Sequence, residues 1–185
     1  MVDNYMEIMY ENETLTTPRL ILRKFKKSDA PDILEYGSDP ETLKFLVWDG
    51  LKTTEDAVAA IVNAYWSCPG FYAIEFEGKC IGCMDIRLKP DHHKASFGYV
   101  LNRNYWGRGI MTEALAALLK FAFEKLKLNR VESCHYPGNE GSGRVMQKCG
   151  MIYEGTARQR ELVKGVFQDT VHYAITRDMY ERMGV

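Results

Sequence analysis

Asn104-Tyr-Trp-Gly107-Arg108-Gly109-Ile110-Met111-Thr112 lies between a strand-like run and the strongest helical pattern in the sequence. The two glycines let the backbone bend tightly and approach a ligand closely. A helix starting at Ile110 turns its free N–H groups back onto that bend, where an anion is favoured. Arg103 and Arg108 add positive charge, and the Thr112 hydroxyl adds a donor. The chemistry suggested is a phosphate or pyrophosphate cradle. The Walker pattern G-x-x-x-x-G-K-[ST] is absent. A Rossmann turn needs a third glycine where Thr112 stands, a place at the first βα turn, and an acidic partner better placed than Glu132, which falls in mid-strand. Alone, the loop also fits a glycine-rich turn that binds nothing.

The cysteines offer less. Cys68, Cys80, Cys83, Cys134 and Cys149 are odd in number and irregularly spaced, which fits a reducing compartment better than a disulfide framework. Cys80-Ile-Gly-Cys83 lies in a strand-like run, where positions three apart are expected on opposite faces. A zinc site would need a second ligand pair, which the adjacent His92 and His93 are poorly spaced to supply. Structural packing is the expectation, with no metal.

The elements that must position the loop follow from pattern. Strands are expected at 19–25, 71–76, 80–88, 95–101, 130–135, 151–163 and 167–176. Helices are expected from a Ser28 cap to Gly37, from 57 to 66 behind Thr53 and Thr54, from 110 to 126, and from 140 to 149. Apolar residues at 111, 114, 115, 118, 119, 122 and 126 keep helical spacing. Glu77-Gly78-Lys79 and Lys164-Gly165 read as hairpin turns. Residues 1–14 read as a loosely attached leader before a single domain over 15–185. Strands in succession, then strand–helix–strand–helix–strand–strand, indicate an α+β or mixed α/β domain around one sheet.

Composition bounds the function. The chain has 185 residues, 46% apolar and 26% charged, which is a globular balance with room for one domain. Twenty-four basic against twenty-five acidic residues leave no global field for nucleic acid or an anionic membrane. The acidic N-terminus lacks an apolar stretch, so neither a signal peptide nor a membrane span is expected. A cytoplasmic monomer or homodimer is the expectation.

Three ordered motifs carry a resemblance to the GNAT superfamily of acyl-CoA-dependent N-acetyltransferases. Asn104-Tyr-Trp-Gly107-Arg108-Gly109 is similar to the family's acyl-CoA loop, Gln/Arg-x-x-Gly-x-Gly/Ala. Asn139-Glu-Gly-Ser142, followed by Gly150-Met151, resembles its downstream Asn-x-x-Ser/Ala and Gly-Phe pair. Thr17-Pro-Arg-Leu-Ile-Leu-Arg23 and Trp106-Gly-Arg-Gly-Ile-Met-Thr-Glu-Ala114 resemble one branch, the ribosomal-protein N-terminal acetyltransferases. The match spans roughly residues 16–180.

The resemblance implies a mostly antiparallel sheet of about seven strands with about four flanking helices, in which strands 95–101 and 130–135 splay apart at a bulge. Gly98 suits that irregularity. Acetyl-CoA is the implied cosubstrate. Backbone groups around Val100 and Leu101 would pair with its pantetheine arm, and an N–H there could polarise the thioester carbonyl. Arg108 and the amides of Gly107, Gly109, Ile110, Met111 and Thr112 would hold the pyrophosphate, and Asn139 would touch the arm or help position the acceptor. Met146 stands where many relatives carry a tyrosine that protonates the leaving thiolate. Ser142 is therefore the candidate acid, with helix N-capping as its alternative role. Glu161 is the candidate base for an incoming amine, most simply a peptide or protein N-terminal α-amine; a polyamine, aminoglycoside or amino acid, or a non-catalytic acyl-CoA sensor, are the alternatives. Trp48, Tyr65, Trp66 and Phe71 are expected in the core, Glu113 on a solvent-facing helix surface, and His135 and His172 in structural positions.

Overall fold

The computed structural model describes residues 4–67 and 69–184, so Cys68 lies outside the described residues. Strands β1 (Leu15–Thr16), β2 (Leu20–Arg23), β3 (Phe71–Phe76), β4 (Lys79–Lys89), β5 (Lys94–Leu101), β6 (Arg130–His135), β7 (Ile152–Val163) and β8 (Val166–Thr176) form one sheet in the order β1-β2-β3-β4-β5-β6-β8-β7. Neighbours are antiparallel except β5 and β6, which run parallel. The helices are α1 (Tyr5–Glu11), α2 (Ala30–Gly37), α3 (Pro40–Leu43), α4 (Thr54–Ala60), α5 (Ile110–Lys120), α6 (Glu140–Lys148) and α7 (Arg177–Arg182). The elements beyond expectation are short: β1 has two residues, α1 seven, α3 four and α7 six, too few turns for a period to show.

Each face of the sheet buries its own core. Tyr72, Ile74, Met84, Ile86, Ala95 and Phe97 point to the first face, where Met111, Ala114, Leu115, Leu118, Leu119, Ala122 and Leu126 arrive from α5 and its continuation. Ala73 and Cys83 alternate to the second face and meet Ile33 and Tyr36 of α2 and Ala57 of α4. The segment read as a loose leader folds onto the first core through α1, burying Tyr5 and Met9. Two buried residues in one short helix are too few to show as periodicity.

Local chemistry explains the turns. Glu77 and Gly78 both take positive φ (50° and 80°), the pair of angles a two-residue type I′ hairpin requires. Thr53 caps α4 by accepting from the Asp56 N–H, while the Asp56 carboxylate accepts from the Thr53 N–H. Ser28 does not cap α2 as expected. Asp29 stands there, accepting from the Lys26 N–H at 2.8 Å and from both terminal nitrogens of Arg23 at 2.8 and 2.9 Å. Arg23 also donates to Glu75 on β3, so one buried guanidinium joins β2, β3 and the start of α2.

The C-x-x-C cysteines share a face, contrary to expectation. The β3–β4 register shifts so that Ile74 opposes Gly82 and Glu75 opposes Cys80, leaving Ile81 as an extra residue. Ile81 turns into the first core, and Cys80 and Cys83 both fall into the second as free thiols. Burial pushes Cys80 up to about 12 and Cys83 well above the ordinary thiol range. Among the described residues, no group of three or more His, Cys, Asp or Glu side chains could hold a metal ion, and no helix is long and apolar enough to cross a membrane.

Removing one partner of the buried Arg23–Asp29 pair leaves a charge without its counter-ion. Asp29→Ala is expected to lower stability by about 3–5 kcal/mol, read as a fall in the urea midpoint at unchanged m-value.

Candidate active site

The parallel pair is short. β5 and β6 match Lys94 with Arg130, Ala95 with Val131 and Ser96 with Glu132, and no further. Beyond that point the strands separate, and the Ser133 hydroxyl donates to the Phe97 carbonyl at 2.8 Å. The expected bulge at Gly98 is not the cause, since β5 stays in continuous register with β4 from Lys94 to Leu101. Gly98 serves a different need: a Cβ there would lie 2.9 Å from the Asp85 carboxylate and 3.0 Å from the Arg87 guanidinium. Strand alternation then decides which backbone groups face the gap. The Asn102 N–H bonds to the Ile81 carbonyl and the Phe97 carbonyl to Ser133, so Phe97, Tyr99 and Leu101 turn their N–H and C=O toward β6. The Val100 backbone turns the other way, its carbonyl oxygen against Gly82 of β4. Of the expected pair, only Leu101 faces the gap, and its carbonyl accepts the Trp106 indole N–H at 2.8 Å.

At the open end of the gap sits the glycine loop. Asn102, buried, accepts from the Asn104 N–H and donates to Glu35 of α2, fixing the turn Arg103–Tyr105. Gly107 and Gly109 both have positive φ (74° and 73°), which the sequence pattern anticipated. Open space surrounds the position of a Cβ on Gly107. Glu113 is the first residue whose N–H reaches back to the Gly109 carbonyl, so the amides of Ile110, Met111 and Thr112 have no acceptor within the helix. The Ile110 and Met111 side chains are buried in the core, so these residues can offer a ligand only their backbone.

The charges are arranged differently from the sequence expectation. Arg108 lies over the Tyr105 ring, 5.2 Å from its centroid, at the exposed edge of the loop. Arg103 points away and pairs with Asp39 at 3.3 Å. The missed cation is Arg19, whose guanidinium donates to the Arg108 carbonyl at 3.1 Å and lies 3.7 Å from the position of a Cβ on Gly109. Glu113 is not a solvated helix residue. It accepts from the Thr17 hydroxyl, the Arg19 N–H and the Arg19 guanidinium at 2.6, 2.9 and 2.6 Å. Burial raises its carboxyl, but those donors more than offset the rise and hold it below its ordinary value.

Two polar pairs flank the gap on opposite faces of the sheet. On the first face the Tyr99 hydroxyl meets the Ser142 hydroxyl at 2.6 Å. Burial, partly offset by that bond, pushes Tyr99 up to about 12. Asn139 caps α6 through the Ser142 N–H at 3.4 Å, so Ser142 sits inside the first turn rather than at the cap, with its hydroxyl available. Met146 is fully buried and only packs. On the second face the Tyr136 hydroxyl donates to the Glu161 carboxylate at 2.6 Å. Cys134 of β6 and His172 of β8 lie opposite each other, and Glu161 opposes Gln168, which alternates onto the same face as His172, so all three share this face. Loops enclose this side: Phe45 approaches Gly138, and Lys164 of the β7–β8 turn donates to the Leu43 carbonyl at 3.3 Å. Tyr99 and Tyr136 escaped the sequence reading because their partners are 43 and 25 residues away.

Among the aromatics, Tyr65 stacks on Phe25 at 4.3 Å in the second core, but Trp66 is 39% exposed and donates to the Phe25 carbonyl. His135 stacks on Tyr173 and abuts Gly143 of α6, a packing role.

A sheet whose parallel pair opens beside a cationic, glycine-turned helix start has the architecture of a coenzyme A-dependent acyltransferase. Residues 19–152 match the acetyltransferase (GNAT) domain family, and the chain belongs to that family; it is an acetyl-CoA-dependent N-acetyltransferase. It is 31% identical to the uncharacterized N-acetyltransferase p20 of Bacillus licheniformis over 175 residues, covering 91% of this chain and 98% of that protein. It is 26% identical to the [ribosomal protein uS5]-alanine N-acetyltransferase of Escherichia coli, covering 88% and 90%. A GNAT-family acetyltransferase structure from Bacillus anthracis superposes with a TM-score of 0.81 at 28% identity, covering 89% of this chain and 99% of that one.

The features present fit acetyl-CoA: free amides at the start of α5, open space at Gly107 and two guanidinium groups at one end, and backbone groups of Tyr99 facing a strand-wide gap at the other. Gly109→Asp brings a carboxylate to the helix start and is expected to abolish acetyl-CoA binding in a chain that keeps its far-UV spectrum and a cooperative melt, lowered by the strain of a side chain at positive φ. Calorimetric titration with acetyl-CoA reads the loss directly.

Proposed function

We propose that the enzyme acetylates the N-terminal α-amine of a peptide or protein, with Glu161 as base and Ser142 as acid. The observation that carries this reading is the division of the polar pairs between the two faces of the sheet, Ser142 with Tyr99 on the side of α5 and Glu161 with Tyr136 on the other. Acetyl-CoA supplies the activated acyl group as a thioester. The amides of Gly107, Gly109, Ile110, Met111 and Thr112, with Arg108 and Arg19, hold its pyrophosphate. Tyr99 and Leu101 turn backbone toward the pantetheine arm, and Asn139 fixes the α6 turn that carries Ser142.

The amine approaches from the second face, between Phe45 and the β7–β8 turn. Glu161 accepts its proton through a water. An α-amine with a free pKa near ~8 needs less help in losing that proton than a lysine near ~10.4. The Ser142 hydroxyl gives its proton to the departing sulfur, the role Met146 is unable to fill. Similarity to a ribosomal-protein alanine N-acetyltransferase over most of both chains supports a protein N-terminus as acceptor. Thiol release measured across Ala- and Ser-initiated peptides, polyamines, aminoglycosides and free amino acids tests this; turnover confined to the small amines would overturn it.

With the best acceptor of that panel, Glu161→Gln is expected to lower kcat/KM by about 10²–10⁴ at neutral pH. The deficit should shrink at high pH, where more of the amine arrives already neutral. Acetyl-CoA affinity should be unchanged.

Transfer is direct. Among the described residues Cys134, on β6, is the thiol beside the gap, but burial and the Glu161 charge push it up, away from the nucleophilic thiolate. Cys134→Ala should keep most activity. Loss of turnover, together with an acetyl-thioester trapped on the wild-type enzyme and detected by mass, would instead indicate a covalent route.

A further inference from the structure

We propose that Tyr136 is a positioning residue for Glu161, fixing which carboxylate oxygen receives the proton of the acceptor amine; the inference rests on Glu161 being the base. Tyr136 directly follows β6, just beyond the last β6–β8 pair, His135 with Val171. It stands at the open end of the gap. Its hydroxyl donates to Glu161 Oε2 at 2.6 Å, which leaves Oε1 for a water or the amine. Burial and the adjacent carboxylate both push the phenol well above its ordinary value, so it stays protonated and acts as a donor at any working pH.

Glu161 needs such a clamp because its own strand is irregular there. Between Ala157 and Glu161 the β7–β8 register shifts: residues 158–160 of β7 stand against Asp169 alone on β8, between Thr170 and Gln168. Gln159 takes a left-handed φ of 46° and donates its N–H to Asp169 at 2.8 Å. Such a bulge re-aims the side chains that follow it. It brings Arg160, as well as Glu161, to bear on Cys134 and His172. A flexible carboxylate set between Arg160, Cys134 and His172 has several places to point, and the Tyr136 hydroxyl selects one. The clamp is also lateral: β6 carries Tyr136 and β7 carries Glu161, with β8 between them, so the base is referenced to the strand that borders the gap.

The test is a two-by-two comparison of wild type, Tyr136→Phe, Glu161→Gln and the double variant. It uses acetyl-CoA with the amine that gives the highest thiol release in the panel. A hydrogen bond to a charged group is worth enough for Tyr136→Phe to lower kcat about 10-fold or more. KM should stay within about two-fold, since uniform binding is untouched. In the Glu161→Gln background the same change should cost less than about two-fold. Equal losses in both backgrounds would mean an independent structural role and overturn the positioning proposal alone. A silent Glu161→Gln would remove the base itself, and this proposal with it. A carbon-13 carboxyl NMR spectrum of the full chain at one fixed neutral pH needs no acceptor. Loss of the Tyr136 hydroxyl should displace the Glu161 carboxyl resonance in Tyr136→Phe, whereas an unmoved resonance overturns the clamp whatever the kinetics.

Discussion

Beyond Ser96 and Glu132 the two parallel strands stop exchanging hydrogen bonds, and every backbone group on the facing edges must find another partner. The protein satisfies some of them itself, the Phe97 carbonyl with Ser133 and the Leu101 carbonyl with Trp106. The rest of the machinery follows from that separation. An extended ligand arm has room where strand pairing would otherwise be. In the proposed reaction the acyl donor lies against α5 while the amine approaches from the other side.

The gap is useful only if the loop at its mouth is held still. That loop is largely exposed, so packing alone cannot fix it. Its anchors are polar: Asn102 to Glu35 on one side, and Glu113 to Thr17 and Arg19 on the other. The second anchor has a further electrostatic effect. By tying the first turn of α5 to the N-terminal strands, Glu113 brings the Arg19 guanidinium beside Gly109, where an anion gains most from the helix start. The acidic residue recruits a cation to the helix start.

In the proposed reaction hydroxyl and carboxylate groups handle the protons, and the described thiols take no part in it. Cys80, Cys83 and Cys149 are buried, and Cys134 is held away from its thiolate form. In place of the tyrosine that Met146 displaces, a tyrosine from β5 meets the serine of α6. Another, just after β6, meets the glutamate of β7. Both splayed strands thus deliver a phenol to the gap, one toward each face.

The sequence alone determined what local interactions dictate. The helical spacing from Met111 to Leu126, the Glu77-Gly78 hairpin and the positive φ at Gly107 and Gly109 all depend on neighbours a few residues away, and each is where pattern placed it. The family resemblance likewise marked the loop, Ser142 and Glu161, whose proposed roles rest on it. Tertiary structure decided everything that needs two distant segments. It sent Arg103 to Asp39 and Arg19 to the loop, turned the Val100 backbone onto β4, and drew Glu113 out of solvent. One extra residue at Ile81 put Cys80 and Cys83 on a common face, and the bulge before Glu161 brought its carboxylate within reach of Tyr136. One extra residue inverts the period-two rule from that point onward, two extra residues slide the register without inverting it, and no local composition announces either.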